Sequence, residues 1–329
     1  MDKKILVTGG CGFIGSHFIH LLLRTRPDAV VYNLDSLSYA GDVARLSDLP
    51  DRSAYSFIKA DIRDKEAVRS IFERGVDIVV HFAAESHVDN SINEPALFAD
   101  VNVCGTLNLL NAAREAGVRK FVHISTDEVY GDIENGMFTE DSPMNPSSPY
   151  SASKASADLF VKSYARTFSL PAVIIRCSNN YGPWQYPEKF MPVVICNAEM
   201  GRQVPIYARG ENSREWIYVE DCVRAILTIM DKGDDGEVYN VGSGHEERNI
   251  DTAKAILALL GKGESLLSYV KDRPGHDIRY FLDSSKARSL GWEPGTGFDE
   301  GLTRTVAWYR DNMEWVKKKM TGAIEGEKC

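Results

Sequence analysis

Tyr150 and Lys154 stand four residues apart in "SPYSASKASADLF". At helical spacing both side chains project from one face, and a Lys ammonium there can lower the pKa of the neighbouring phenol. With Ser125 or Thr126 supplying a hydrogen bond from a preceding strand end, Tyr150 is equipped to act as a base toward a substrate hydroxyl. Just ahead of it, "ISTDEVYG", residues 124 to 131, sets Asp127 and Glu128 side by side at what should be the end of a buried strand. Like-charge repulsion and partial burial raise one carboxyl pKa enough to keep a proton available near neutral pH, so the pair offers an acid and a base. Adjacent residues of an extended strand point to opposite faces; both reach one substrate only if the strand has ended and the backbone turns.

A second set of residues binds rather than reacts. "TGGCGFIGS" carries Gly9, Gly12 and Gly15 at three-residue spacing, directly after a first strand and opening a first helix. The glycines permit a tight turn and close backbone approach, so a pyrophosphate can rest against the helix N-terminus, where free N–H groups and the macrodipole favour anions. Twenty residues beyond Gly15, Asp35 ends the second strand, where its carboxylate accepts from both adenosine ribose hydroxyls and repels a 2′-phosphate. NAD is therefore the expected cofactor, rather than NADP, with hydride leaving to it as Tyr150 takes the hydroxyl proton. Asp61 after the third strand and "FAAES" after the fourth fall on the carboxyl edge where such sheets bind ligands.

The elements that must hold these residues follow from periodicity. "KILVTG", "AVVYNLD", "YSFIKAD", "DIVVHFA", "KFVHIST" and "PAVIIRC" alternate with stretches of helical spacing. Nearly continuous apolar runs mark strands covered on both faces, so the fold class is α/β, a doubly wound parallel sheet of Rossmann type through about residue 178. After that the chain loosens into "NNYGPWQYPEKFMP", loop-rich binding territory. "WIYVEDCVRAILTIMDK" and "EVYNVGS" offer strands that could return to the sheet. "NIDTAKAILALLG" and a last helix from about 298 to 320 add a smaller, mostly C-terminal lobe. The division expected is 1–178 plus about 216–243 for the cofactor domain, and about 179–215 plus 244–329 for the substrate lobe. "GAIEGEKC" reads as a frayed tail.

Composition narrows the partners. A net charge of −9 without a basic cluster argues against nucleic-acid and anionic-membrane surfaces, and no apolar stretch approaches a membrane span. Met1 leads through two lysines into the first strand with no hydrophobic leader, and six scattered cysteines lack any CxxC spacing, which fits a reducing cytoplasm. His17 and His20 lie one turn apart with no third ligand in register, so no metal is expected. His81 and His123 fall in buried-type strands and read as satisfied core residues.

Taken together, "TGGCGFIGS", "HFAAESHVDNS" and "YSASK" resemble the extended, nucleotide-sugar-modifying branch of the short-chain dehydrogenase/reductase superfamily. "LDSLSYAGD", "ISTDEVYG", "RCSNNYGPWQYPEKF", "REWIYVEDC" and "VKDRPGHDIRYFLDSSKARSLGWEP" look, more narrowly, like the dTDP-glucose 4,6-dehydratases along essentially the whole chain. Those enzymes carry a Thr-Asp-Glu triplet where this sequence has Thr126, Asp127 and Glu128, and the related 4-epimerases lack the acidic pair. The resemblance implies a catalytic set of Thr126, Asp127, Glu128, Tyr150 and Lys154: oxidation at C4 acidifies C5–H, Glu128 takes that proton, Asp127 donates to the departing C6 hydroxyl, and hydride returns to C6.

The resemblance also implies NAD contacts at Gly9, Gly12, Phe13, Ile14, Gly15, Asp35, Ser36, Leu37, Ser38, Asp61, Ile62, Phe82, Ala83, Ala84, Glu85, Ser86, Val101, Ser125, Tyr150, Lys154 and Asn180. Substrate contacts carry over to Ser86, Thr126, Asn179, Lys189, Phe190, Pro205, Ile206, Tyr207, Arg214, Asn249, Arg273 and His276. Of these, Arg214 and Arg273 suit a diphosphate and Tyr207 suits the nucleotide base. The sequence departs from the family's pattern at Cys11, usually a small Ala, at Ala208 and Arg209, more often Gly-Asp, and at Val101, often a hydroxyl residue. A homodimer is implied, paired through "NEPALFADVNVCGTLNLLNAAREAG" and "PYSASKASADLFVKSYARTF". Two other readings stay open: a 4,6-dehydratase of a UDP- or CDP-sugar, and a non-catalytic NAD-sensing module, which would have no use for Tyr150, Lys154 and the acidic pair together.

Overall fold

The computed structural model describes residues 3–49 and 52–326, the side chains of 321–326 excepted. Its strands are β1 (Lys4–Thr8), β2 (Val30–Asp35), β3 (Tyr55–Lys59), β4 (Ile78–His81), β5 (Lys120–Thr126), β6 (Ala172–Cys177), β7 (Asn179–Tyr181), β8 (Val204–Tyr207), β9 (Ser213–Tyr218), β10 (Val238–Val241), β11 (Glu246–Arg248) and β12 (Leu267–Val270). Seven of them form the main sheet, in the order β10-β6-β5-β4-β1-β2-β3 with every neighbouring pair parallel. Of the two segments offered as returning strands, "EVYNVGS" does return, as β10 beside β6. "WIY" instead completes β9, which pairs with β7 and β11 in a three-stranded sheet.

The helices are α1 (Phe13–Thr25), α2 (Lys65–Phe72), α3 (Val88–Asn93), α4 (Pro95–Phe98), α5 (Thr106–Ala116), α6 (Pro149–Phe168), α7 (Phe190–Glu199), α8 (Val219–Lys232), α9 (Asn249–Leu259), α10 (Ser285–Ser289), α11 (Phe298–Asp311) and α12 (Met313–Gly326). The single helix expected over 298–320 is thus two, parted at Asn312. The expected tail is helical as far as Gly326, and residues 327–329 lie outside the described residues. The first of the two segments implied for the dimer, "NEPALFADVNVCGTLNLLNAAREAG", is α4 and α5 joined by a π-helical stretch, Ala99–Gly105.

Period-two alternation explains why the central strands read as unbroken apolar runs. Ile5 and Val7 pack with Phe18, Leu22, Ile226 and Ile229 of α1 and α8 on one face. Leu6, between them, packs with Val68, Leu109, Leu110 and Val161 of α2, α5 and α6 on the other. A separate apolar cluster joins α7, α9, α11 and α12 to β7, β8 and β9. His81 is a satisfied core residue, bonded to the hydroxyls of Thr8 and Thr106 at 2.7 and 3.0 Å. His123 is not: neither ring nitrogen makes a hydrogen bond, its Nε2 lying 3.5 Å from Asp158 Oδ1. Burial accordingly pushes its imidazole down to about 4.

Candidate active site

The strands of the main sheet end on one edge, and the chemistry-bearing residues gather there around a cavity of about 380 Å³, within the range small-molecule sites occupy. The turn after β1 shapes its floor. Gly9 has φ of +72°, and a Cβ at that position would lie 2.6 Å from Ala83 N. A Cβ on Gly15 would meet Gly9 O at 2.4 Å. Only bare backbone lets the loop lie flat between β4 and the start of α1, leaving that helix N-terminus open to a phosphate. Cys11 does not enter the cradle: its thiol is fully buried against Asn33, and burial pushes it up to about 12, so it stays protonated.

Asp35 anchors two loops at once, accepting from Leu37 N at 2.8 Å and from Cys11 N at 2.9 Å. Each carboxylate oxygen retains capacity for further donors. Leu37 itself is at φ +55° and, alone among the expected cofactor contacts, is not part of the cavity wall. The wall includes Gly9, Gly12 to Gly15, Asp35, Ser36, Ser38, Asp61, Ile62, Phe82 to Ser86, Val101, Ser125, Tyr150, Lys154 and Asn180. A glycine cradle, an acidic strand end and a continuous wall fit a dinucleotide with an unmodified ribose.

β5 ends at Thr126 and the backbone turns into a short 3-10 segment, Asp127–Tyr130, so the two carboxylates need not point to opposite faces. Thr126 holds the turn: its hydroxyl donates to Asp127 Oδ1 at 3.1 Å and accepts from Glu128 N at 3.3 Å. Burial, then the neighbouring Glu128 and Glu215, push the Asp127 carboxyl well above the usual range. Burial also raises Glu128, but Arg273, Arg214 and Lys189 pull it back toward the ionised form. Both carboxyls are raised, but the neighbouring charges act mainly in opposite senses, adding to the rise at Asp127 and opposing it at Glu128.

α6 presents Tyr150 and Lys154 to this turn. Its start is set by a capping box in which Ser148 Oγ accepts from Ser151 N at 3.1 Å and Ser151 Oγ accepts from Ser148 N at 2.9 Å. The electrostatics differ from the expectation. Lys154 Nζ donates to Ile124 O at 2.8 Å, and burial brings its ammonium down to about 8. The Tyr150 phenol is raised, by burial and then by Glu128, with Thr126 opposing the rise, rather than lowered by Lys154.

Several buried polar atoms around the cavity have no partner: Ser125 Oγ, Asp127 Oδ2, Ser178 Oγ, Asn179 Oδ1 and Asn180 Oδ1. Such atoms are costly unless a ligand meets them. Ser86, Thr126, Asn179 and Lys189 line the wall, Lys189 donating to Ser86 O at 2.8 Å. Phe190 opens α7 and stacks on Trp216. The remaining expected substrate residues lie beyond the wall. Pro205, Ile206 and Tyr207 form β8, and Tyr207 meets His276 edge-on and donates to Asp89 at 3.2 Å. Arg273 also reaches Asp89, at 3.4 Å, while its Nε is buried and unpartnered, as is Asn249 Oδ1. Arg214 is spent on backbone, donating to Ser213 O, Asp277 O and Ile278 O, with its charge still felt at Glu128.

Sequence reasoning missed Arg45, Arg63 and Ser178, which also line the wall, and singled out the 181–190 stretch without naming Gln185, Tyr186 or Glu188. Arg45 carries no periodic or motif signal. Among the described residues no group of three His, Cys, Asp or Glu side chains is placed to hold a metal, and no helix is long and apolar enough to cross a membrane.

Comparison with known proteins agrees with this geometry. A family model described as GDP-mannose 4,6 dehydratase matches residues 6–305. The dTDP-glucose 4,6-dehydratase of Escherichia coli is 44% identical over 99% of this chain and 98% of its own. A dTDP-glucose 4,6-dehydratase from Streptomyces venezuelae, solved with NAD and dTDP bound, superposes with a TM-score of 0.93 at 47% identity, covering 96% of this chain and 99% of that one. The UDP-glucose 4-epimerase of Thermus thermophilus, in complex with NAD, gives a TM-score of 0.88 at 33% identity, covering 94% of this chain and 99% of that one.

Proposed function

The chain belongs to the dTDP-glucose 4,6-dehydratases, within the family described as GDP-mannose 4,6 dehydratase, and from that premise we propose how its residues divide the work. The enzyme is an NAD-dependent hydro-lyase that converts dTDP-glucose to dTDP-4-keto-6-deoxyglucose. Bound NAD, held by the glycine cradle and Asp35, would supply the hydride acceptor for C4 and the hydride donor for C6, and Lys154, while charged, would favour the Tyr150 phenolate. Tyr150 accepts the C4 hydroxyl proton, with Thr126 fixing the phenol. Glu128 removes the C5 proton, made acidic by the new ketone. Asp127 protonates the departing C6 hydroxyl.

One observation carries the assignment of acid and base: the opposed fields at positions 127 and 128. Burial and anionic neighbours raise the Asp127 carboxyl well above the usual range, the direction an acid needs; Glu128 is raised by burial too, but three cations oppose that rise, the direction a base needs. The test is to incubate the NAD-loaded protein with dTDP-glucose in deuterated water. Product deuterated at C5 is expected from the parent. The Asp127→Asn, Glu128→Gln variant should still oxidise C4 and bind NAD but release no dehydrated product. Normal dehydration by that variant would sink the assignment, and parallel assays with UDP- and CDP-glucose should show weaker turnover than with the dTDP sugar.

Further parts of the reading have support of different kinds. The division into a cofactor domain, 1–178 plus about 216–243, and a nucleotide-sugar lobe, about 179–215 plus 244–329, is favoured by the separate apolar cluster that the second set forms, which also takes in Trp216 and Tyr218 at the boundary of the first. Tyr207, Arg273 and His276 form the nucleotide end of the substrate site, a role that suits Arg273 Nε, which lacks a partner. Homodimer formation through α5 and α6 accords with Leu159, Phe160 and Phe168, which are exposed on α6. A cytoplasmic setting suits Cys177 and Cys222, unbonded thiols with sulfurs 3.5 Å apart.

A further inference from the structure

The loop after β2, whose Ser36, Ser38, Ala40 and Gly41 line the cavity, is held from outside by the last helix. Asp42 stands at the base of that loop. Its Oδ1 caps the 3-10 turn Val43–Leu46 by accepting from Ala44 N at 2.9 Å. Its Oδ2 faces α12 and accepts from Trp315 Nε1 at 2.8 Å and from Lys319 Nζ at 2.9 Å. Three residues on, Arg45 is 2% exposed. Its guanidinium donates to Cys11 O of the phosphate loop at 2.7 Å, to Ala40 O at 2.6 Å and to Trp184 O at 2.9 Å. The same guanidinium lies 5.6 Å from the centre of the Trp315 ring, and Trp315 closes on Trp184 and Trp308 at 5.2 and 5.5 Å.

Neither Trp315 nor Lys319 belongs to the cavity wall, and α12 begins beyond residue 305, where the family match ends. We propose that Trp315 and Lys319, acting through Asp42, are positioning residues that latch α12 onto the 36–46 loop and set how fast NAD leaves, not how fast the chemistry runs. The inference rests on the NAD-binding reading above. For a dinucleotide to leave the glycine cradle, the loop must swing away from it, which separates Arg45 from Cys11 O and Asp42 from Trp315 and Lys319. A reaction that returns its cofactor to the starting oxidation state has no need to exchange it each turnover. Slow release therefore leaves turnover untouched.

The test uses the full chain with NAD bound. Trp315→Phe with Lys319→Met keeps the ring stack and the lysine stem but removes both donors to Asp42. Displacement of labelled NAD by excess unlabelled NAD should run about tenfold faster than in the parent, as expected for losing two side-chain hydrogen bonds. Less NAD should survive gel filtration, and kcat and the sugar KM at saturating NAD should stay at parent values. Asp42→Asn, which keeps the cap acceptor but removes the charge, should accelerate release in the same way. Lys319→Met alone touches only the rim and serves if the double variant is poorly folded. Release at the parent rate in folded variants overturns the latch, as does a kcat that stays low at saturating NAD. A parent that holds no NAD at all would instead overturn the cofactor reading.

Discussion

Asp127 and Lys154 are both buried ionisable groups displaced from their ordinary behaviour, and each displacement has a sign. The Asp127 carboxyl is raised, so the folded protein binds its proton more tightly than the unfolded chain does. Stability is then highest below the unfolded value near pH 4 and falls as pH rises through the window up to the folded value. Asp127→Asn should therefore be neutral toward stability in acid and stabilising near neutral pH, read by denaturant melts at several pH values. That gain would accompany loss of dehydration. The Lys154 ammonium is lowered to about 8, which costs stability below that pH and is relieved as pH climbs toward the unfolded value. In activity the sign reverses: losing the cation withdraws support from the Tyr150 phenolate, so kcat/KM should fall on an alkaline limb with a midpoint at about 8. Lys154→Arg, which stays charged, should remove that limb; its persistence would assign the limb to Asp127.

At the scale of elements, α6 is a catalytic device because its first turn is pinned. Ser148→Ala removes one half of the capping box and should lower stability by about 1 kcal/mol. Because Tyr150 lies in that same turn, kcat should drop with little change in sugar KM, which steady-state kinetics would separate. The element types were largely readable: alternation of apolar runs and helical spacing located β1 to β6, and the Thr-Asp-Glu triplet required the backbone to turn after Thr126. What escaped has physical reasons. β7 and β11 are three-residue strands whose pairing is set by distant partners, so no local period marks them. The π-helical stretch is invisible to a 3.6-residue period; it turns Asn102 inward, where its side chain bonds both Glu85 N and Glu85 O and reaches Ser153 Oγ at 2.8 Å. Arg45 escaped because it bonds only backbone carbonyls, and carbonyls leave no mark on residue type. Tyr150 was placed correctly and its pKa was not, because burial is a property of the whole fold and outweighed a neighbour four residues away.

For the molecule as a whole, the exposed apolar face of α6 is the feature that a lone chain does not explain. Leu159 is 56% exposed, Phe160 38% and Phe168 46%, large apolar side chains that the proposed dimer would cover. Light scattering on the parent should give twice the 36.6 kDa chain mass, and Leu159→Glu should halve it while leaving the far-ultraviolet spectrum unchanged. The course of the chain between its sheets has a different consequence. It leaves the main sheet after β6, threads β7, β8 and β9, comes back for α8 and β10, and leaves again for β11. Exchange of sugar specificity by recombination at a single crossover near residue 178 would hand the recipient a foreign α8 and β10, the helix packed on α1 and the strand that completes the sheet beside β6. Hybrids of this architecture should therefore survive only when both junctions flanking the α8–β10 segment are kept in register with the parental sheet, which makes specificity here far easier to change by point substitution than by swapping modules.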